Sequence, residues 1–367
     1  MKKKNLIPGL SKFESLTLRG GEELEKALKW VATQIEQFVH YQHVRDFDFA
    51  SLQNWLDFYS QKKWIEQPES FYPHPKTLPK VTRTTMHHLQ DGEVFDLSFK
   101  SSYKPINKEY AKEFKAYKEN QTFYARVWKH QEPAKATIVA VHGWTMGDQR
   151  INSLAFLPGL FYQLGLDMVI IELPFHGRRV CKDEREKRVI FPGAHVARTN
   201  EGIAQTIWDL RMLNTWLESQ GAQNIGCMGM SLGGYISALW SSLDELQFCI
   251  PIVPVANMGT LAWEIISKKS EFSVIEKQGI TVDDLELAFR VHCPLAYTPK
   301  LPLHRRMIIA GLADHIVPPR HPHLLWEHWQ HPEIHWLSGG HMAHFRRSKA
   351  VTKMTEFFQR NGLTSKN

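Results

Sequence analysis

The chain of 367 residues lacks any apolar run that approaches the roughly 20 residues a membrane-spanning helix needs. Its opening stretch, MKKKNLIPGL, carries the positive charge that begins a signal peptide, but a proline and a glycine stand where a continuous apolar run should follow. Internal repeats and low-complexity tracts are also missing. These absences favour a soluble, globular protein of the cytoplasm.

Cysteine is scarce, and the four cysteines lie far apart in the chain. Their spacing matches neither a disulfide framework nor a zinc motif. Two of the four stand inside apolar runs, where a reduced thiol packs as a small hydrophobic side chain. The four are Cys181, Cys227, Cys249 and Cys293.

Long basic runs are absent too, although the formal net charge is +7. Scattered lysines and arginines argue against a nucleic-acid partner, and they leave open an anionic substrate or contact with an acidic membrane surface. Histidines crowd the region from His315 to His344 and include the HPH sequence at 321–323. Because these positions fall on a helix, a loop and a strand with no cysteine pair nearby, we predict no metal site.

The first 80 residues have a helical pattern and form a predicted N-terminal helical extension. Five apolar residues share one face at helical spacing between residues 21 and 43, and a second short helix is predicted from Ser51 to Trp64. The proline-rich stretch EQPESFYPHPKTLPK then indicates a boundary near residue 80. The extension is either a packing appendage or a binding surface, and residues 81–367 form the main domain.

Strand-like runs alternate with helices in the main domain. Two half-exposed runs, Glu93 to Tyr103 and Thr122 to His130, read as edge strands, and six shorter, nearly continuous apolar runs follow. Such uniform apolarity is typical of parallel strands covered by helices on both faces. We therefore predict an α/β fold with a mostly parallel eight-stranded sheet. The expected crossover helix has one apolar stripe, made of Ile203, Ile207, Leu210, Leu213 and Leu217.

Residues 256–302 interrupt this alternation and are called the lid segment here. Two stretches in it have helical patterns, and Thr281 or Asp283 is available to cap the second. An insertion at this position lies above the carboxyl ends of the strands, where parallel sheets bind ligands. Its aromatic residues Trp263, Phe272 and Phe289 favour an apolar acyl group or a small lipid as substrate.

A serine flanked by glycines stands near the middle of the chain, in the sequence GMSLGG. Ser231 follows a buried strand and precedes a helix-compatible run, which is the setting of a nucleophile elbow. Asp314 follows the seventh strand, and His341 follows the eighth after Gly339 and Gly340. We predict Ser231 as nucleophile, His341 as general base and then acid, and Asp314 as the carboxylate that orients the imidazole.

Backbone N–H groups beside the serine are expected to stabilise the oxyanion. One belongs to Leu232, directly after the nucleophile, and the other to Trp144 in the sequence HGW after the third strand. Gly143 lets that backbone approach the site, and Gly143 and Met230 are both predicted to border the substrate. His344 is the alternative base, and it is otherwise expected to pack or to donate a hydrogen bond nearby.

The loop after the fourth strand, ELPFHGRR, adds further candidates. Arg178 and Arg179 stand where two guanidinium groups can receive a carboxylate or phosphate of a substrate, or pair with the acidic stretch 183–186 instead. His176 is expected to structure this loop, with substrate contact as the alternative.

HGW, ELPFHGRR, GMSLGG, GLADHIVPP and GGH occur in this order after successive strands. Over roughly residues 90 to 360 the chain resembles the α/β-hydrolase superfamily. GMSLGGY, the downstream VPVANM and the GRR of the loop resemble a bacterial branch related to eukaryotic abhydrolase-domain proteins. The resemblance implies an α/β-hydrolase fold, cleavage of an ester, thioester, amide or lactone, and no cofactor, and it does not extend to the first 80 residues.

The residues and the resemblance together predict a serine hydrolase that cleaves a carboxylic ester or thioester through an acyl-enzyme. An acyltransferase or peptidase with the same triad is the alternative, since the fate of the acyl-enzyme depends on what the pocket admits. A non-catalytic scaffold is the third reading, and the intact triad argues against it. The expected partner is a small-molecule or lipid ester, and the oligomeric state stays open.

Overall fold

The structure is a computed structural model, and it describes residues 49–181, 190–267, 272–338, 341 and 348–364. Several sequence predictions lie outside these residues. They are the helix at 21–43, the acidic stretch 183–186, Gly339, Gly340 and His344.

Nine strands among the described residues form a single sheet. The strands are β1 (Thr82–His88), β2 (Gly92–Lys100), β3 (Thr122–His130), β4 (Thr137–Val141), β5 (Asp167–Ile171), β6 (Ile225–Met230), β7 (Cys249–Ile252), β8 (Met307–Gly311) and β9 (Glu333–Leu337). Their order across the sheet is β1-β2-β3-β5-β4-β6-β7-β8-β9. In this order the pairing is antiparallel from β1 to β5 and parallel from β5 to β9.

The prediction of a mostly parallel sheet is confirmed, but the predicted number of eight strands is wrong. β1 is the additional strand, and every one of its residues is exposed. Its sequence TRTTMHH therefore has no buried face, and without one the alternation that reveals a strand does not arise. Because β1 occupies the edge, β2 and β3 are interior strands rather than the edge strands expected from the sequence.

Helices cover both faces of this sheet. They are α1 (Phe49–Tyr59), α2 (Lys63–Glu66), α3 (Pro68–Phe71), α4 (Ala111–Ala116), α5 (Gln149–Phe156), α6 (Pro158–Gln163), α7 (Val196–Ser219), α8 (Leu232–Leu243), α9 (Met258–Ile266), α10 (Phe272–Lys277), α11 (Val282–Phe289), α12 (Arg320–His328) and α13 (Ser348–Arg360). One face carries α7 and α8 together with the helices before β1, and the other carries α5, α6 and α13. Single 3-10 turns cover Glu119–Gln121, Gly177–Arg179, Arg290–His292, Pro294–Ala296 and Leu303–Arg305. Within the described residues, no helix combines the length and the apolar character needed to cross a bilayer.

The predicted crossover helix is present as α7. All five residues of its apolar stripe are buried, in agreement with the sequence pattern. The helix is also buried on much of its remaining surface, where it carries carboxylates at Glu201 and Asp209. Each of these carboxylates has hydrogen-bond partners in the core.

The helices before β1 pack into the core of the main domain. The single helix predicted from Ser51 to Trp64 is in fact two, α1 and α2, separated at residues 60–62. Tyr59 of α1 donates a hydrogen bond to Glu201 of α7, and the hydroxyl of Tyr72 donates to the carbonyl of Val291 in the turn that follows α11. The buried residues between Leu52 and Tyr72 therefore share one hydrophobic core with the domain.

The lid segment contains α9, α10 and α11. Thr281 and Asp284 form a capping box at the start of α11, so the predicted cap by Thr281 is confirmed. α9 and α11 pack so closely that a Cβ on Gly259 of α9 would lie 2.7 Å from the backbone of Glu286 in α11. α11 also packs against α1, which joins the N-terminal helices to the lid segment.

Candidate active site

Ser231 occupies a sharp turn between β6 and α8. Its backbone angles, φ 55° and ψ −113°, are unusual for a residue with a side chain. The turn is fixed by a hydrogen bond of 2.8 Å from the Ser231 N–H to the carbonyl of Ile252 at the end of β7. The side chain makes no capping hydrogen bond to α8, so its own helix does not hold the hydroxyl.

Glycines on both sides make this turn sterically feasible. A Cβ on Gly229 would lie 2.0 Å from the carbonyl oxygen of Gly233, and a Cβ on Gly233 would lie 1.9 Å from the carbonyl oxygen of Val141. Either contact is far inside the van der Waals distance, so a side chain at Gly229 or Gly233 would push α8 away from the strands. This packing is the geometric reason for the GMSLGG sequence.

Asp314 and His341 form a buried pair beyond the ends of β8 and β9. Nδ1 of His341 lies 2.6 Å from Oδ2 of Asp314, and the two residues are 6% and 3% exposed. The other carboxylate oxygen accepts two bonds of 2.9 Å from the backbone N–H groups of Ile316 and Val317. The carboxylate is therefore fixed on both oxygens, and it holds a proton on Nδ1 so that Nε2 is left as the basic nitrogen.

The HGW turn passes directly beside the serine. A Cβ on Gly143 would lie 3.6 Å from Cβ of Ser231 and 3.3 Å from the carbonyl oxygen of Met230. Leu232 begins α8, so its N–H belongs to the positive end of that helix. The structure thus brings Gly143, Met230 and Leu232 together around Ser231, and oxyanion binding by the N–H groups of Trp144 and Leu232 stays a prediction.

Two fully buried histidines support this turn. His142 donates from Nδ1 to the carbonyl of Gly143 at 2.7 Å and accepts at Nε2 from the N–H of Leu173 at 3.1 Å. These partners require a neutral imidazole with its proton on Nδ1. Burial lowers the pKa of His142 well below its ordinary value, which keeps it neutral.

His176 has the same arrangement in the loop after β5. Its Nδ1 donates to the carbonyl of Pro174 at 2.9 Å, and its Nε2 accepts from the N–H of Thr145 at 3.2 Å. Burial lowers the pKa of His176 to about 4. The expectation that His176 structures the loop is confirmed, and its complete burial opposes the alternative of substrate contact. The contact with Thr145 was not foreseen, since it joins segments 31 residues apart.

Arg179 is placed differently from the sequence expectation. It is 1% exposed, and its guanidinium pairs with Asp209 of α7 at 2.9 Å and donates to the carbonyls of Glu172 and Asn120. A guanidinium enclosed in this way cannot receive a substrate carboxylate or phosphate. The anion-binding role predicted for Arg179 is therefore corrected to a structural one.

Arg178 is partly exposed but carries two acidic partners. Its guanidinium lies 2.8 Å from Glu172 and 3.0 Å from Asp96, and it stacks over the ring of Tyr124. Two carboxylates neutralise the guanidinium, so its contacts give no support to the predicted anion-binding role. The pairing with residues 183–186 that the sequence suggested lies outside the described residues.

The HPH sequence divides between two environments. His321 is fully buried and accepts weakly at Nδ1 from the N–H of Ala256 at 3.4 Å, while His323 is exposed near Glu327. Within the described residues, no group of three or more His, Cys, Asp or Glu side chains is arranged to hold a metal ion.

Comparison with known proteins adds the family. The sequence pattern of the family described as alpha/beta hydrolase domain containing 18 matches residues 56–307, which is more than half of the chain. The chain belongs to this α/β-hydrolase family. The match begins well before residue 90, where the resemblance in motifs began, and it ends before Asp314 and His341.

A relative and a solved structure are also similar to this chain. A Mycobacterium tuberculosis protein named "Uncharacterized protein Rv2627c" is 33% identical over 315 residues, which are 84% of this chain and 74% of that protein. The structure of an acetyl xylan esterase from Paenibacillus sp. R4 superposes with a TM-score of 0.59 at 14% identity, over 84% of this chain and 99% of that one. At this identity the likeness shows the α/β-hydrolase fold alone.

Proposed function

We propose that the protein is a serine hydrolase that cleaves a carboxylic ester or thioester through an acyl-enzyme intermediate. The observation that carries this proposal is the buried hydrogen bond between Asp314 and His341. Both residues follow the carboxyl ends of parallel strands, as does Ser231 on its strained, glycine-flanked turn. A paired carboxylate and imidazole are the groups that a serine needs in order to act as a nucleophile.

Each residue has a defined step in the proposed reaction. His341 takes the proton from Oγ of Ser231 as that oxygen attacks the carbonyl carbon, and Asp314 stabilises the resulting imidazolium. The N–H groups of Trp144 and Leu232 bind the oxyanion of the tetrahedral intermediate. His341 then protonates the leaving group. Water releases the acyl group in a second round with the same proton transfers.

The lid segment favours an apolar acyl group. The rings of Trp263 on α9 and Phe272 on α10 lie 5.0 Å apart in an edge-to-face arrangement, and both are only partly buried. Partly exposed aromatic rings supply apolar contact area that an acyl chain can cover. Phe289 does not take part, because it is 5% exposed and packs in the core.

The first experiment is hydrolysis of p-nitrophenyl esters and matched thioesters, from acetyl to long acyl chains. We expect wild-type protein to turn over these substrates and Ser231→Ala to lower kcat by about 10⁴-fold or more. Ser241→Ala is the matched control, because Ser241 lies on α8, the helix that follows Ser231, and its hydroxyl donates to the carbonyl of Ala238 in that helix.

Labelling with a fluorophosphonate gives a second readout that does not depend on the choice of substrate. Wild type and Ser241→Ala should be labelled, and Ser231→Ala should not. Labelling or turnover that survives in Ser231→Ala would contradict the assigned nucleophile. Wild type that neither reacts with the probe nor hydrolyses any ester would contradict the proposed function as a whole.

A further inference from the structure

The turn that carries Trp144 is braced by contacts from the loop after β5. The turn is defined here as residues 142–146 and is called the oxyanion turn. Thr145 in this turn has φ 63°, a left-handed conformation that is uncommon for a residue other than glycine. Its N–H donates to Nε2 of His176 at 3.2 Å. This hydrogen bond therefore acts on the residue directly after Trp144, at a point of backbone strain.

The backbone directly after the oxyanion turn is also in contact with this loop. A Cβ on Gly147 would lie 2.2 Å from the backbone nitrogen of Gly177, and a Cβ on Gly177 would lie 2.5 Å from the carbonyl oxygen of Gly147. Gly177 begins a 3-10 turn whose next residue donates its N–H to the buried carboxylate of Glu172 at 2.8 Å. The loop that presents His176 is thus itself anchored.

From this geometry we infer that His176 is a positioning residue for ester or thioester cleavage, because it holds the oxyanion turn through the N–H of Thr145. The inference rests on the proposed function for its catalytic consequence, but the hydrogen bond that it concerns exists independently of any substrate. His176 acts through the backbone of the turn and, being fully buried, does not touch the substrate.

Only a neutral imidazole with its proton on Nδ1 satisfies both neighbours of His176. The carbonyl of Pro174 needs a donor, and the N–H of Thr145 needs an acceptor. An asparagine side chain reaches the Nδ1 position and supplies the donor alone, whereas a glutamine side chain reaches the Nε2 position and supplies the acceptor. These two amides are therefore matched variants that separate the two hydrogen bonds.

The test compares His176→Asn with His176→Gln in steady-state ester hydrolysis. A small displacement of an oxyanion donor costs on the order of 10- to 100-fold in rate, and it leaves ground-state binding nearly unchanged. We expect His176→Asn to lower kcat by about 10- to 100-fold at an unchanged KM, and His176→Gln to recover most of that loss. A merely structural role predicts equal losses in the two variants.

Hydrogen–deuterium exchange of the Thr145 amide supplies the readout that is independent of activity. Exchange should accelerate in His176→Asn and stay slow in His176→Gln, at a temperature where thermal melts show both to be folded. His130→Asn is the control, since His130 at the end of β3 bonds to Asp167 at the start of β5 and to the carbonyl of Tyr162 in α6. These groups lie at the amino ends of the parallel strands, away from the oxyanion turn. His130→Asn should have the wild-type kcat and the wild-type exchange rate at the Thr145 amide.

Equal kcat in His176→Asn and His176→Gln, or unchanged exchange at Thr145 in His176→Asn, would overturn the inference. Failure of the proposed function gives a different pattern, in which wild type has no hydrolytic activity and is not labelled by a fluorophosphonate. In that case the exchange rates still decide whether His176 holds the turn.

Discussion

Asp314 is the most firmly held of the candidate active-site side chains. One carboxylate oxygen accepts two backbone N–H groups, and the other accepts Nδ1–H of His341. Replacing one oxygen by an amide nitrogen leaves the shape unchanged but places a donor on one of these sides. The imidazole then carries its proton on Nε2, and that nitrogen can no longer accept the proton of Ser231.

Asp314→Asn should accordingly lower kcat for ester hydrolysis by about 10³- to 10⁴-fold, with little change in KM or in melting temperature. Steady-state kinetics measure kcat and KM, and a thermal melt measures the melting temperature. Asp283→Asn is the control, because Asp283 is an exposed acidic residue in the first turn of α11. A variant that retains a tenth or more of the wild-type kcat would remove Asp314 from the triad.

The sequence alone was sufficient to propose Ser231, Asp314 and His341, because glycine spacing and the residues that follow apolar runs are local features. The partners of the two arginines were not predictable in this way. Arg178 pairs with Asp96, which lies 82 residues earlier, and Arg179 pairs with Asp209, which lies 30 residues later. Whether a charged side chain faces solvent or a buried partner depends on the tertiary fold, and a charge pattern along the chain does not reveal it.

At the scale of elements, α7 is joined to α1 and to the segment after β2 through a buried carboxylate. Glu201 accepts from the hydroxyl of Tyr59 at 2.9 Å, from the hydroxyl of Tyr103, and from the N–H groups of Ile106 and Asn107 at 2.9 Å each. Burial raises the pKa of Glu201, and these four donors oppose that shift by stabilising the charged form. The carboxylate thus connects α1, the segment after β2 and α7.

Glu201→Gln should destabilise the protein by about 1–3 kcal/mol, because the amide turns a donor toward groups that are themselves donors. Urea denaturation measures the free energy of unfolding. Glu218→Gln, an exposed site on the same helix, should change it by less than about 0.5 kcal/mol. Equal stability of Glu201→Gln and wild type would mean that the network does not hold α1 in place.

Burial explains why some of these elements were predictable from the sequence. The stripe of α7 follows from its helical periodicity, and the strands β4 to β8 follow from their uniform apolarity, since burial selects the side chains in both patterns. β1 pairs with β2 through its backbone while all its side chains stay exposed, so nothing in its sequence was selected by burial. The boundary near residue 80 stays a prediction, although the buried residues between Leu52 and Tyr72 share the core of the domain.

At the scale of the whole molecule, four of the histidines that the structure describes are fully buried and have lowered pKa values. Burial lowers the pKa of His142 well below its usual range, and it lowers those of His176 and His321 to about 4 and that of His292 to about 3. In the unfolded chain these groups titrate near 6.5. Between about pH 6.5 and 4 the unfolded state therefore binds more protons than the folded state, so stability falls as the pH falls.

Two buried carboxylates act in the opposite sense. Burial raises the pKa values of Glu201 and Asp209, so the folded state binds protons there more readily than the unfolded state does. Since four histidines oppose two carboxylates, we expect a net loss of stability on acidification below pH 6.5. Each histidine contributes up to about 1.4 kcal/mol per pH unit within its window.

Urea denaturation between pH 7.5 and pH 5.0 tests this expectation, with His292→Gln as the informative variant. His292 hydrogen-bonds to Tyr235 at 2.6 Å and takes no part in the proposed reaction. Its replacement removes one group that binds a proton more readily in the unfolded state than in the folded state. Its plot of unfolding free energy against pH should be shallower than that of wild type by up to about 1.4 kcal/mol per pH unit. His304→Gln, at an exposed position, should keep the wild-type slope. If wild type is equally stable at both ends of the range, or if His292→Gln and His304→Gln share one slope, the buried histidines do not set the acid sensitivity of this fold.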